Sequence, residues 1–224
     1  MLVDRSVYLQ SGIHIGTAQK NKFMEPFIYT QRKDGLYIFD INKIDERIAE
    51  AARILAKYEP SEILVVANRM TARKPAQKFA EYTKCLARIG RFIPGTLTNP
   101  NIKYFLEPEV LIAADPIMDK QAIREAKQVG IFVIALVNTF NPVQNIDFII
   151  PGNNRGKKAL ALFFYLLARE YLRARGVLGP NDELSELKWK EFEPTKEEVE
   201  LPIWIKKQLE ELRRRRRKKA RKKK

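Results

Sequence analysis

Apolar and polar positions along this chain switch between a period of two and a period of three to four, and the switches predict the elements. Leu36-Tyr37-Ile38-Phe39-Asp40-Ile41 has the pattern of a strand, and Asp34-Gly35 before it is a turn signal. With a partner around Phe27-Ile28-Tyr29, this predicts a hairpin. Ile44, Ile48, Ala51, Ala52 and Leu55 recur at helical spacing with charges between them, and Pro60 closes that helix. Ile63-Leu64-Val65-Val66-Ala67 is a continuous apolar run ending in Asn68-Arg69, as expected of a central parallel strand buried on both faces.

The alternation repeats. A helix is expected over about 71–88, a short strand at Arg91-Phe92-Ile93, a loop over 94–101 and a buried strand at Val110–Ala114, stopped by Asp115-Pro116. A helix over 118–129, strands at 131–137 and 146–150, and a long helix over about 154–174 ended by Gly176 complete the series. Strands alternating with helices imply right-handed βαβ crossovers, so the fold class is α/β, with a parallel sheet covered on both faces.

The chain has 224 residues, of which 45% are apolar, enough to bury a core. Its 42 Lys and Arg against 27 Asp and Glu give a formal charge of +15, which points to a polyanionic partner. The charge falls into three blocks. Residues 1–181 hold 26 basic against 17 acidic residues, 182–212 hold 5 against 10, and 213–224, RRRRRKKARKKK, hold 11 basic in 12. The expected division is an α/β body over 1–181, an acidic and apolar extended arm over 182–212, and a polybasic tail over 213–224. So dense a run of like charge repels itself and is unfolded in isolation.

Several chemistries are excluded. One cysteine, Cys85, forms no internal disulfide, and with a single histidine, His14, there is no ligand set for a structural zinc. The opening MLVDRSVYLQSG lacks the layout of a signal peptide, and the apolar runs fall short of the about 20 residues of a membrane helix. A cytosolic, soluble protein is expected. The Asn68-Arg69-Met70-Thr71-Ala72 turn has no glycine for a dinucleotide, and Gly152-Asn153-Asn154-Arg155-Gly156-Lys157-Lys158 departs from a phosphate loop in both spacing and final residue. That turn still opens a helix beside three cations, so it reads either as a phosphate site or as a helix-capping turn. Asp115 reads as a helix cap or a catalytic carboxylate, His14 as a packed or RNA-contacting imidazole rather than a base, and Cys85 as a small core residue.

Phosphate-binding candidates cluster on the helix around 69–91 and at the 152–158 turn. Arg69, Arg73, Lys74, Arg88, Arg91, Arg155, Lys157 and Lys158 are the cations, joined by Arg213, Arg214, Arg215, Arg216 and Arg217 of the tail. Thr96, Thr98 and Asn99, in the loop beside that helix, offer hydroxyl and amide groups that position a backbone without reading sequence.

Four ordered segments carry a family resemblance: Gly12-Ile13-His14-Ile15-Gly16, Pro94 through Pro100, Pro108 through Asp115-Pro116 with Ala122-Ile123-Arg124-Glu125-Ala126, and Ile149-Ile150-Pro151-Gly152-Asn153-Asn154. Together, over roughly residues 5–175, they resemble the universal small-subunit ribosomal protein S-two family. The match is to its archaeal and eukaryotic branch, kin to the laminin-receptor-precursor proteins, because 42–68 has no room for the helical hairpin of bacterial members. Asn138-Thr139 stands where the family commonly has Asp-Thr, and a family proline near Phe132 is missing. The resemblance implies a three-layer α/β/α body with a mostly parallel, flavodoxin-like sheet. It also implies a structural role without catalysis or cofactor, contacts to small-subunit rRNA and neighbouring ribosomal proteins near the messenger-RNA exit, and no membrane or self-association. An enzyme acting on a phosphorylated small molecule at Asp115 and the 152–158 turn is the competing expectation, and a membrane-surface or adhesion module a third.

Overall fold

The computed structural model describes residues 1–179 and 189–195. The continuous apolar runs form the sheet. β3 (Ile63–Ala67), β5 (Val110–Ala113) and β6 (Phe132–Val137) lie at its centre, buried save Phe132 at the edge of β6. β4 (Leu86–Ile89) and β7 (Phe148–Pro151) are the edges, all five strands are parallel, and the order is β4-β3-β5-β6-β7. That is the flavodoxin-like order, in which the chain reverses direction across the sheet between β3 and β5.

Right-handed crossovers leaving that point in opposite directions place helices on opposite faces. α2 (Ile41–Leu55), α3 (Met70–Thr83) and α5 (Lys157–Ala174) pack together on one face. α4 (Lys120–Val129) covers β5 and β6 on the other. α5 is largely apolar in its middle because it lies between α2 and α3, and there Phe163 and Phe164 meet edge to face at 5.0 Å. The rest of the α4 face is closed by the loop over 90–109, whose Leu97 is buried.

The first 40 residues make a strap. α1 (Arg5–Ser11) precedes a two-stranded antiparallel hairpin of β1 (Ile28–Gln31) and β2 (Tyr37–Phe39). Asp45 of α2 anchors its start, accepting hydrogen bonds from the Leu2 amide and the buried Tyr8 hydroxyl. The strap's far end reaches the carboxyl ends of β6 and β7: Asn153 donates its amide to Ile13 at 2.9 Å, and Asn21 donates to Thr139 at 2.6 Å.

Differences from the expected elements have local causes. The strand before the glycine-containing loop is Leu86–Ile89, not Arg91–Ile93, and α3 ends at Thr83 because Lys84 turns left-handed (φ 60°). β4 is an edge strand whose exposed Ala87 and half-buried Leu86, Arg88 and Ile89 give no continuous apolar run. α2 runs into β3 through one short 3-10 turn at Pro60–Glu62, with no helical hairpin between.

Met1–Glu193 is one compact unit, and of the second, Pro194–Lys224, only Pro194 and Thr195 are described. The expected arm over 182–212 and tail over 213–224 therefore lie mostly outside the described residues. The exception is a 3-10 turn, Trp189–Phe192, which lies on the body: Phe192 is fully buried, stacked on Tyr82 at 5.7 Å and edge-on to Tyr165 at 5.8 Å.

The strap allows no side chain at Gly16. A Cβ there would stand 2.5 Å from the Thr139 methyl and 2.8 Å from the Tyr37 carbonyl oxygen, which is backbone and cannot step aside. Gly16→Ala is expected to lower stability by about 1–3 kcal/mol, read as a fall in the urea midpoint at constant slope.

Candidate functional site: the carboxyl edge of the sheet

In open parallel α/β sheets, ligands gather outside the carboxyl ends of the strands where the strand order reverses. Here that point lies between Asn68-Arg69, after β3, and Asp115, after β5. Asp115 is fully buried and its carboxylate is committed on every side. Oδ2 accepts from Nε of Arg69 at 2.9 Å and from its terminal nitrogen, and Oδ1 accepts from the Ile117 amide at 3.0 Å and the Asn141 side chain at 3.1 Å. Asp119, 1% exposed, joins the two strand ends, accepting the Asn68 amide at 2.9 Å and the Asp115 amide at 3.0 Å. Burial pushes its carboxyl up to about 7, and the two donated amides only partly offset that.

Further along the edge, the strap bonds to the residues that follow β6. Thr17 donates its amide to the Thr139 hydroxyl at 3.0 Å, and the Asn21 side chain donates to the Asn141 carbonyl at 3.1 Å. Asn138 accepts the Thr139 amide at 2.8 Å and donates to Asn154 at 3.3 Å, so an amide at this position caps the strand and also supplies a donor. In the 152–158 turn Asn153 Oδ1 takes up the amides of Arg155 at 3.0 Å and Gly156 at 3.2 Å, which shapes the chain entering α5, and among the described residues no side chain caps the first amides of that helix.

The motifs behind the family resemblance are physical partners. Gly12–Gly16 meets the segment ending in Asn153-Asn154, with Asn153 also donating its side chain to the Gly12 carbonyl at 3.2 Å. The loop over 94–100 meets α4, where the buried carboxylate of Glu125 accepts the Gly95 amide at 2.8 Å and the Leu97 amide at 3.2 Å.

The candidate cations divide accordingly. Arg69 is spent on Asp115. Arg73 donates to the Asn68 carbonyl at 3.3 Å and, with half-buried Lys74, sits on the first turns of α3. The Thr71 hydroxyl reaches the Arg155 carbonyl at 3.5 Å, so the amino ends of α3 and α5 adjoin, and Arg155, Lys157 and Lys158 share that corner with them. Arg155 and Lys158 are exposed, with the Arg155 guanidinium 4.4 Å from the Phe140 ring centre, while Lys157 stands 3.8 Å from Glu193. Arg91 is exposed just past the end of β4.

The others are elsewhere. Arg88 lies on edge strand β4 and donates to the Tyr104 carbonyl at 3.0 Å. Thr96 is 2% exposed and donates its hydroxyl to the Ile93 carbonyl at 2.6 Å, so it holds the loop rather than the surface. Thr98 and Asn99 are exposed but lie towards the amino edge of the sheet, away from the α3–α5 corner. Arg213 to Arg217 lie outside the described residues. Lys120 and the motif residue Arg124, both exposed on α4, line a groove with Pro116, Ile117 and Pro142 past the ends of β5 and β6; the strand-to-helix step at 115–120 is the sequence signal for Lys120.

His14 is half-buried with Nδ1 3.2 Å from the Tyr8 carbonyl, and burial lowers its pKa. No carboxylate is bonded to it among the described residues. Cys85 is buried, which pushes its thiol up to about 11, so it is packed and unreactive. Among the described residues, no group of three or more potential ligands is arranged for a metal, and no helix is long and apolar enough to cross a membrane.

Fold and edge together define a flavodoxin-like α/β body whose strand-end carboxylates Asp115 and Asp119 are bonded within the chain, beside the groove of about 320 Å³ lined by Pro116, Ile117, Lys120, Arg124 and Pro142. The family model for ribosomal protein S2 matches residues 8–107 and 102–174. The small ribosomal subunit protein uS2 of Nanoarchaeum equitans is 54% identical over 183 residues, covering 82% of this chain and 91% of that protein. The proteins of the same name from Thermofilum pendens and Saccharolobus solfataricus are 51% and 48% identical, covering 82% and 83% of this chain and 86% and 80% of their own lengths. The chain belongs to the ribosomal protein S2 family, a structural and non-enzymatic kind of protein, and its relatives here are archaeal.

Asp115→Ala strands the Arg69 guanidinium, the Asn141 amide and the Ile117 N–H together, and is expected to cost about 2–4 kcal/mol in chemical denaturation. Asp119 gives a pH signature. Its folded pKa lies above its unfolded value, so the folded state holds the extra proton between about pH 4 and pH 7. Its contribution is therefore fully present below that window and is lost as pH rises through it. Asp119→Asn is expected to flatten this part of a stability-versus-pH profile.

Proposed function

We propose that this protein is a structural constituent of the small ribosomal subunit in the cytoplasm. In this role its carboxyl-edge corner packs on small-subunit rRNA and other surfaces meet neighbouring ribosomal proteins. The observation that carries the proposal is membership of the ribosomal protein S2 family, matched over residues 8–107 and 102–174. What the edge still offers is charge: Arg73, Lys74, Arg91, Arg155, Lys157 and Lys158 beside the amino ends of α3 and α5 suit phosphates of a folded RNA. Arg155, already stacked on Phe140, presents a planar fork for a phosphate or an unstacked base. Arg69 and Thr96 serve this surface indirectly, by holding the elements that carry it. Arg88, on edge strand β4, is a secondary contact, whereas Thr98 and Asn99 lie towards the amino edge of the sheet and stand apart from this surface.

Arg213 to Arg217 extend the phosphate contacts, and the acidic stretch of 182–200 turns to a basic protein, since acids are repelled by RNA. A single copy near the messenger-RNA exit, without catalysis, fits this assignment.

The test is salt-dependent sedimentation of the endogenous protein, with a form truncated after Leu212 and a triple variant Arg155→Ala, Lys157→Ala, Lys158→Ala. The full chain is expected to travel with small subunits and to be released as salt rises. In binding to isolated rRNA, the triple variant is expected to lose about 2–3 units of the log–log salt slope, near 0.7–0.9 for each phosphate contact removed. Full chain remaining at the top of the gradient at every salt would overturn the assignment.

A further inference from the structure

At the amino edge of the sheet, opposite the basic corner, the surface has a different chemistry. A groove of about 590 Å³ opens between the 97–109 loop and the end of α4. Its apolar lining includes Leu97, Phe105, Leu106 and Ile131, and Val129 on its rim is 47% exposed. Glu107 and Glu109 stand exposed on the same rim, and neither is paired with a cation among the described residues. The groove also receives the carboxyl end of α4, where Gly130 turns left-handed (φ 82°) and the helix dipole adds partial negative charge.

This combination selects its occupant. Two unpaired carboxylates and a negative dipole end repel phosphate, so a nucleic-acid backbone is disfavoured here. Leu97, Phe105, Leu106 and Ile131 set among polar groups, with two carboxylates on the rim, suit a peptide that places an aliphatic side chain against them and Lys or Arg at the edge. The loop that forms the groove is itself fixed, because Glu125 holds Gly95 and Leu97, so the surface is preformed.

We propose that the groove bounded by Leu97, Leu106, Val129 and the carboxylates of Glu107 and Glu109 docks a basic, aliphatic segment of a neighbouring protein in the assembled particle. The body thereby meets RNA at one end of its strands and protein at the other. This rests on the ribosomal reading above.

The test places a photo-reactive residue in the full chain, Val129→p-benzoylphenylalanine, and crosslinks it in assembled small subunits isolated from a gradient. The expected product is a crosslink to a peptide of another protein, rich in Lys and Arg with aliphatic residues among them. Adding Glu107→Lys and Glu109→Lys is expected to cut its yield about fivefold or more, without weakening the protein's binding to isolated rRNA. A crosslink to an rRNA nucleotide, to residues 196–224 of the same chain or to an acidic peptide overturns the docking proposal. So does an unchanged yield in the charge-reversed variant, or no crosslink in subunits that contain the protein. Absence of the protein from the subunits is a separate result, since it overturns the ribosomal reading itself.

Discussion

The ion pair between Arg69 and Asp115 closes the one place where a sheet of this order is naturally open. Parallel strands buried on both faces deliver their last polar groups to a single edge, where most of them find partners, Asn141 Oδ1 and Asn154 Nδ2 being exceptions among the described residues. In a nucleotide-binding protein the ligand supplies part of that bonding. Here the chain supplies it, through Asp115, Asp119, Asn138, Asn141 and Asn153. Because these residues bridge β3, β5, β6 and β7, the edge is fixed without a bound molecule. The side chains left over on its rim are cations held by rigid helix starts, which is what a surface needs if it is to match one arrangement of phosphates.

Much of this was legible in the sequence. Continuous apolar runs at 63–67, 110–114 and 131–137 required strands buried on both sides, and helical spacing over 44–55 required an amphipathic cover. What escaped was information that lies between segments. Leu86–Ile89 is a strand because β3 offers it an edge, and its own mixed pattern does not announce that. Arg69 and Thr96 read as phosphate ligands because their residue types suit the task. Only the fold shows that one is claimed by a buried carboxylate and the other by its own loop. Thr98 and Asn99 sit near basic residues in sequence yet lie at the opposite end of the strands from the basic corner.

The motifs that carried the resemblance turn out to be matched halves. Gly12–Gly16 has meaning only with Thr139 and Asn153, and the 94–100 loop only with Glu125. Each pair is a backbone or glycine position facing a polar side chain from a remote segment. Motifs of this kind specify how the layers are locked, and they contain few of the cations of the basic corner. Segment 189–193 belongs to the same locking: although the composition around it is that of an exposed acidic arm, Phe192 anchors it between Tyr82 and Tyr165.

The strap also sets a timetable for synthesis. Its Thr17 bonds to Thr139, 122 residues later in the chain. At ribosomal speeds of about 5–20 residues per second, the partner emerges on the order of ten seconds after the strap does. During that interval the amino-terminal strap lacks its partners at the strand ends, and Ile13, fully buried in the finished fold, is uncovered. The body thus closes last where it began first, and a nascent chain halted before residue 139 is left with its opening segment undocked.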